Sequence, residues 1–136
     1  MRRALMTMIL TTAALSLAGC ADAGTGVYDG EQSEADMLPA QVPAGQYDFD
    51  PDSSRLLATH DGYQFFAVSS ASQGDCLLSF APDAPERWVA GCGSDGRVGT
   101  GGLIGIQADY DPDGLPEEDA PQGWTRLTPQ LQVSEG

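Results

Sequence analysis

Between positions 55 and 132 apolar residues recur in short runs of four to seven, each closed by Gly, Asp, Ser or Pro. No window of ten residues beyond the first twenty positions carries a convincing helical period, so this spacing predicts β-strands. The strongest pair is Arg55-Leu-Leu-Ala-Thr-His60 and Tyr63-Gln-Phe-Phe-Ala-Val68, joined by Asp61-Gly62, a dipeptide that tolerates the positive φ angles of a two-residue hairpin turn. Such a turn sets His60 opposite Tyr63, Ala58 opposite Phe65 and Leu56 opposite Ala67 on one face. Thr59 with Gln64, Leu57 with Phe66 and Arg55 with Val68 take the other. Both faces are apolar toward the open end, which predicts that the hairpin is covered on both sides. Further strands are expected at residues 76–80, 88–92, 103–107 and 123–127. The expected fold is mostly β, a small antiparallel meander or a rolled sheet or barrel over residues 55–133, with a tail at 134–136.

The chain opens differently. Met1-Arg2-Arg3 is basic, and residues 4–16 form an apolar run broken by Thr7, Thr11, Thr12 and Ser16, too short to span a bilayer as a stable helix. This is the pattern of an export signal at residues 1–19. The sequence that ends it, Leu17-Ala18-Gly19-Cys20, resembles the lipobox of bacterial lipoproteins. That resemblance implies a diacylglycerol on the Cys20 thiol, cleavage before it, and an anchor on the extracytoplasmic face of the cell membrane.

Residues 20–54 contain eight acidic and no basic residues, with scattered apolar side chains such as Val27, Tyr28, Met37 and Leu38. A segment so poor in apolar groups is expected to stay a flexible tether, and a free coil of about 25 residues spans roughly 25–30 Å. Charge sharpens the picture. The formal net charge is −14, with 20 acidic residues and no lysine, and loss of Arg2 and Arg3 with the signal takes it to −16. A field of that sign repels phosphate backbones, which excludes nucleic acid as a partner and favours cations and basic partners.

Of three cysteines, assigning Cys20 to lipid leaves Cys76 and Cys92 as a pair. In an exported domain these are expected to oxidise, with two free buried thiols as the alternative; a zinc site is disfavoured because His60 is the only histidine. Closing a loop of this size contributes about 3 kcal/mol in the chain-entropy model. Trp88 lies an even number of residues before Cys92 and so shares its face; with Trp124 it is expected in the core. The combination of hairpin, Cys76-Leu-Leu, loop and Trp88-Val-Ala-Gly-Cys-Gly93 resembles small envelope proteins of high-GC Gram-positive bacteria. That resemblance implies location and the disulfide, and no activity.

Several chemical motifs fail on context. Gly91-Cys-Gly93-Ser-Asp-Gly96 matches G-x-G-x-x-G, but the glycine-rich stretch after it cannot open the helix that would hold a pyrophosphate. Ser94 lacks the first glycine of a hydrolase elbow, and His60, at a hairpin end, is the only histidine base for any triad. One pattern survives: Asp109-Tyr-Asp111-Pro-Asp113-Gly114 reproduces the opening of a calcium loop, and Asp48-Phe-Asp50-Pro-Asp52 echoes it. Glu117, Glu118 or Asp119 would have to supply the missing oxygen, since Ala120 stands at position twelve; a solvated acidic turn is the competing reading. The expected function is that of a membrane-anchored binding or envelope accessory module whose partner is an envelope protein or ligand, with no catalytic residues. Calcium at Asp109, Asp111, Asp113 and Glu117 is the alternative, as is a small envelope enzyme or enzyme inhibitor.

Replacement of Cys20 by Ala tests the address: the variant should leave the membrane fraction or persist as an uncleaved precursor on immunoblots of fractionated cells. Normal processing with full membrane retention would remove the lipid anchor from consideration.

Overall fold

The computed structural model describes residues 26–136, and Cys20 and the signal lie outside them. Eight strands form two antiparallel sheets: β1 (Arg55–His60), β2 (Tyr63–Ser70), β3 (Gly74–Phe80) and β4 (Trp88–Gly93) in the first, and β5 (Val98–Thr100), β6 (Gln107–Tyr110), β7 (Thr125–Thr128) and β8 (Leu131–Ser134) in the second. The first sheet is a plain meander in the order β1-β2-β3-β4; the second runs β5-β6-β8-β7. The sheets stay open and do not close into a barrel. Among the described residues there is no α-helix, only short 3-10 turns.

The hairpin forms around Asp61 and Gly62, both at positive φ (46° and 81°), and the expected register holds from His60↔Tyr63 to Ala58↔Phe65. Beyond Ala58 it slips. A bulge at Leu57 sets Leu56 opposite Phe66 and Arg55 opposite Ala67, where an unbroken ladder would have set Leu56 opposite Ala67. The bulge has a packing reason, because it places Leu57 beside Ala58 against the core between the sheets and turns Leu56 to the outer face with Phe66.

Every residue from Phe65 to Val68 is buried. Phe65 and Ala67 point inward, joining Leu77 of β3 against Ile106, Ala108, Tyr110, Leu131 and Val133. Phe66 and Val68 point outward with Cys76, Leu78 and Phe80, and what covers them is the segment expected to be a tether. Val42 and Phe49 bury there at 5% exposure each, with Leu38, Ala44 and Tyr47 beside them. Val27 and Tyr28 pack against the core between the sheets, and residues 38–49 form a third layer on the outer face of the first sheet, for reasons polar as much as apolar. Asp36 Oδ1 accepts the Leu56 backbone N–H at 2.9 Å, Ser54 Oγ donates to the Asp36 carbonyl at 2.7 Å, and Gln32 Nε2 donates to the Pro51 and Ser54 carbonyls. Arg55 donates to the Gly30 carbonyl, and Phe49 bridges Ser70 at the end of β2. Of these, the Asp36 bond satisfies one backbone N–H of the β1 edge.

Cys76 and Cys92 stand directly opposite in the β3–β4 ladder and are joined as a disulfide, with Trp88 on the same outer face. The second sheet departs more from expectation. The strand foreseen at 103–107 begins only at Gln107, because residues 102–104 wind into a 3-10 turn closed by Gly105 at φ 100°, and the Ile104 carbonyl is taken by the Tyr63 hydroxyl at 2.7 Å. β5 and β8 were not foreseen, since Val-Gly-Thr offers no alternation and Leu131-Gln-Val-Ser is too short to stand out. Ser134 belongs to β8 and pairs with Gln107, so the expected tail starts one residue later. The sheets meet where β4 crosses β5. Gly91 there leaves room for the Gly99 carbonyl, which a Cβ would overlap, and nearby Ser79 and Thr100 share a buried hydrogen bond of 3.0 Å.

Replacing Phe49 by Ala removes the cover's largest buried ring and should cost about 3–5 kcal/mol, read as a lowered midpoint in urea unfolding. A change under about 1 kcal/mol would mean that the segment lies loosely on the sheet, as ordinary surface substitutions do.

Candidate functional site

The acidic repeat is the first candidate to place, and its carboxylates do not converge. Asp109 sits in β6 opposite Gly99 and Gln132, over the outer face of the second sheet. Its carboxylate pairs with Arg97 and accepts from Gln132 Nε2 at 3.4 Å, while Gln132, buried to 2% exposure, accepts in turn from Arg126 at 3.3 Å. Asp109 is therefore the anionic member of a cross-strand network, held by an arginine. Asp111 does something else. Its Oδ1 accepts the Asp113 backbone N–H at 3.0 Å while its carbonyl accepts the Gly114 N–H, closing a turn around Pro112.

The echo at Asp48-Phe-Asp50-Pro-Asp52 is built identically: Asp50 Oδ1 accepts the Asp52 N–H at 3.1 Å and its carbonyl accepts the Ser53 N–H. In each copy the aromatic residue, Phe49 or Tyr110, is buried beside a neighbouring strand. The shared pattern thus encodes a buried ring followed by an Asx turn at a proline. Glu117 is exposed; Glu118 and Asp119 line a small cavity of about 90 Å³ with Arg97 and Arg126. Among the described residues, the only three side chains of His, Cys, Asp or Glu whose donor atoms come within 4.8 Å of one another are His60, Asp61 and Glu135. The calcium set of Asp109, Asp111, Asp113 and Glu117 is not brought together: Asp109 pairs with Arg97, and the four carboxylates do not converge within 4.8 Å as the His60 group does.

Two buried tyrosines, Tyr28 and Tyr110, offer no acid–base chemistry at neutral pH either. The Tyr28 and Tyr110 hydroxyls are buried without a hydrogen bond. Burial first, and then the charge of Asp75, push Tyr28 up to about 12; burial likewise raises Tyr110. Both stay protonated.

A groove on the outer face of the first sheet carries the strongest surface feature. Trp88 enters it from the start of β4, where the ladder pairs it with Phe80. Tyr47 enters from the 3-10 turn Ala44–Tyr47, which ends at Asp48 in the left-handed region, φ 54°. The Tyr47 ring packs edge-on to Trp88, centroids 5.4 Å apart and planes at 88°, and stacks on Phe49 at 5.6 Å. Together with Cys92, Gln73 and Glu86 these rings line a cavity of about 530 Å³, within the range of small-ligand sites. Leu103 stands at its rim with 82% of its surface exposed. Trp88 was expected in the core on its own face parity; its role in the groove needs Tyr47, forty-one positions earlier in a stretch read as tether, and no local pattern signals that meeting.

Comparison of the chain with family models, with curated proteins and with solved structures yields no match.

The two readings of the acidic loop separate on a pair of variants. Asp111→Ala should cost about 1 kcal/mol, the usual effect of losing a side-chain cap on a backbone N–H, and Asp113→Ala close to nothing. Neither loss should depend on calcium in thermal melts. Equal, calcium-dependent losses would restore the metal loop.

Proposed function

We propose that the chain is a lipid-anchored extracytoplasmic binding module, held at the membrane through Cys20, whose aromatic groove receives a cationic and partly apolar peptide segment of an envelope partner. The observation that carries this reading is the groove itself: the half-buried rings of Tyr47 and Trp88 backed by buried Phe49, an exposed leucine at the rim, and Glu86 in the lining. Half-buried aromatic rings with open faces are a common means of binding energy in small proteins, since they bury large areas with few rotatable bonds. Ring faces also attract guanidinium and ammonium groups.

Charge selects among occupants. A chain of net charge −14 without a lysine raises the local concentration of basic ligands and repels anionic ones. An arginine side chain can lie over Trp88 or Tyr47 and reach Glu86, while an adjacent aliphatic residue meets Leu103. Binding of this kind requires no perturbed titratable group, in contrast to an enzyme of this size, and the L-A-G-C sequence supplies the address.

Fluorescence titration of the full-length protein in mild detergent with a decapeptide of alternating Arg and Leu should give saturable binding that weakens as salt rises. Trp88→Ala should weaken it at least about tenfold, the usual loss at a buried aromatic contact, and Glu86→Gln a few-fold. Saturable binding of a muropeptide with none of the basic peptide would give the groove to a glycan and overturn the proposal. So would peptide affinity unchanged in Trp88→Ala.

A further inference from the structure

The sole histidine of the chain closes β1, and three elements converge on it. The hairpin turn holds Asp61 at positive φ, with its Oδ2 3.1 Å from His60 Nε2. From the opposite sheet, the residue after β8 brings Glu135 Oε1 to 3.6 Å from the same nitrogen. One donor atom from each residue lies within 4.8 Å of the other two. These separations have a chemical meaning. Ligand atoms about 2.0–2.2 Å from a zinc-type ion stand about 2.8–3.1 Å apart in an octahedral shell and about 3.3–3.6 Å apart in a tetrahedral one, by simple geometry on those bond lengths. The two separations at His60, 3.1 and 3.6 Å, fall within that range.

The surroundings suit an ion with open positions. The His60 side chain is three-quarters sheltered, 26% exposed, while both carboxylates reach solvent at 62% and 61%. A cavity of about 380 Å³, walled by Gly123, Thr125 and Val133, opens over the three groups.

We propose that His60, Asp61 and Glu135 form a binding site for one divalent cation of the zinc type, which clasps the β1–β2 turn of the first sheet to the end of β8 in the second. The imidazole nitrogen sets the class of ion. One nitrogen and two carboxylate oxygens suit zinc and its borderline neighbours, whereas calcium and magnesium take all-oxygen shells. The sequence hides the site, because Glu135 lies 74 positions after Asp61 and only the packing of the two sheets joins them.

The test is calorimetric titration of the metal-stripped, full-length protein in mild detergent with zinc chloride at neutral pH. One zinc per chain is expected with micromolar affinity, with a melting temperature raised by several degrees and no such response to equal calcium or magnesium. His60→Asn and Glu135→Gln should each weaken binding at least about tenfold, since each removes a third of the protein donors. Glu135 is exposed near the chain end, so its replacement leaves the fold intact and a loss of binding there reports the site. Absence of binding at millimolar zinc, or full affinity retained in either variant, would overturn the proposal.

Discussion

Burial of β2 on both faces is the constraint on which the architecture rests. Phe65 and Ala67 satisfy one core and Phe66 and Val68 another, so the strand cannot serve a two-layer sandwich with one wet face. A third layer must exist, and the chain supplies it from the residues before β1. That layer has little apolar surface of its own. It compensates by placing Val42 and Phe49 where they count and by filling the remaining boundary with hydrogen bonds to β1 and to the end of β2. Asp36 shows how tightly the polar part is drawn: partial burial pushes its carboxyl up, but hydrogen bonds from Ser33 and from the Leu56 N–H outweigh this and hold it below the usual carboxylate range.

The first sheet was legible because its determinants are local. Asp61-Gly62 fixes a turn, alternation fixes the faces as far as Ala58, where the bulge at Leu57 exchanges them, and the two cysteines fall on paired strands. Even the need for cover on both sides could be read from Leu56, Leu57, Phe65 and Phe66. What covers them could not, since composition argues against order in a stretch rich in Asp, Gly and Ser, and only the tertiary match of Phe49 and Val42 to the exposed face reverses that argument. The second sheet fails for a related reason. Its strands are three or four residues long and draw their order from Tyr110, Leu131 and Val133 packing against the first sheet. The groove and the histidine cluster share this blindness, because each joins residues far apart in sequence.

The D-[FY]-D-P-D pattern is a useful case of chemistry imitated by architecture. Spaced aspartates are read as cation ligands because alternate carboxylates can converge. Here the first is spent on Arg97, or tops a 3-10 turn, and the second caps a backbone N–H, while the aromatic between them is the buried anchor. The pattern recurs with one letter changed because one local arrangement recurs: a ring is buried and the chain then turns at a proline.

The order of the layers along the chain has a mechanical side. A pull applied from the N-terminal side meets first Val27 and Tyr28, which pack against the core between the sheets, and then the covering layer, which is attached by separate hydrogen bonds and two buried side chains that yield one after another under load. The sheets, with their ladders and the bond between Cys76 and Cys92, are loaded last. Since Tyr47 and Phe49 belong to the covering layer and Trp88 to the sheet, peeling parts the two walls of the aromatic groove. The aromatic groove is thus the seam along which the covering layer would part from the first sheet.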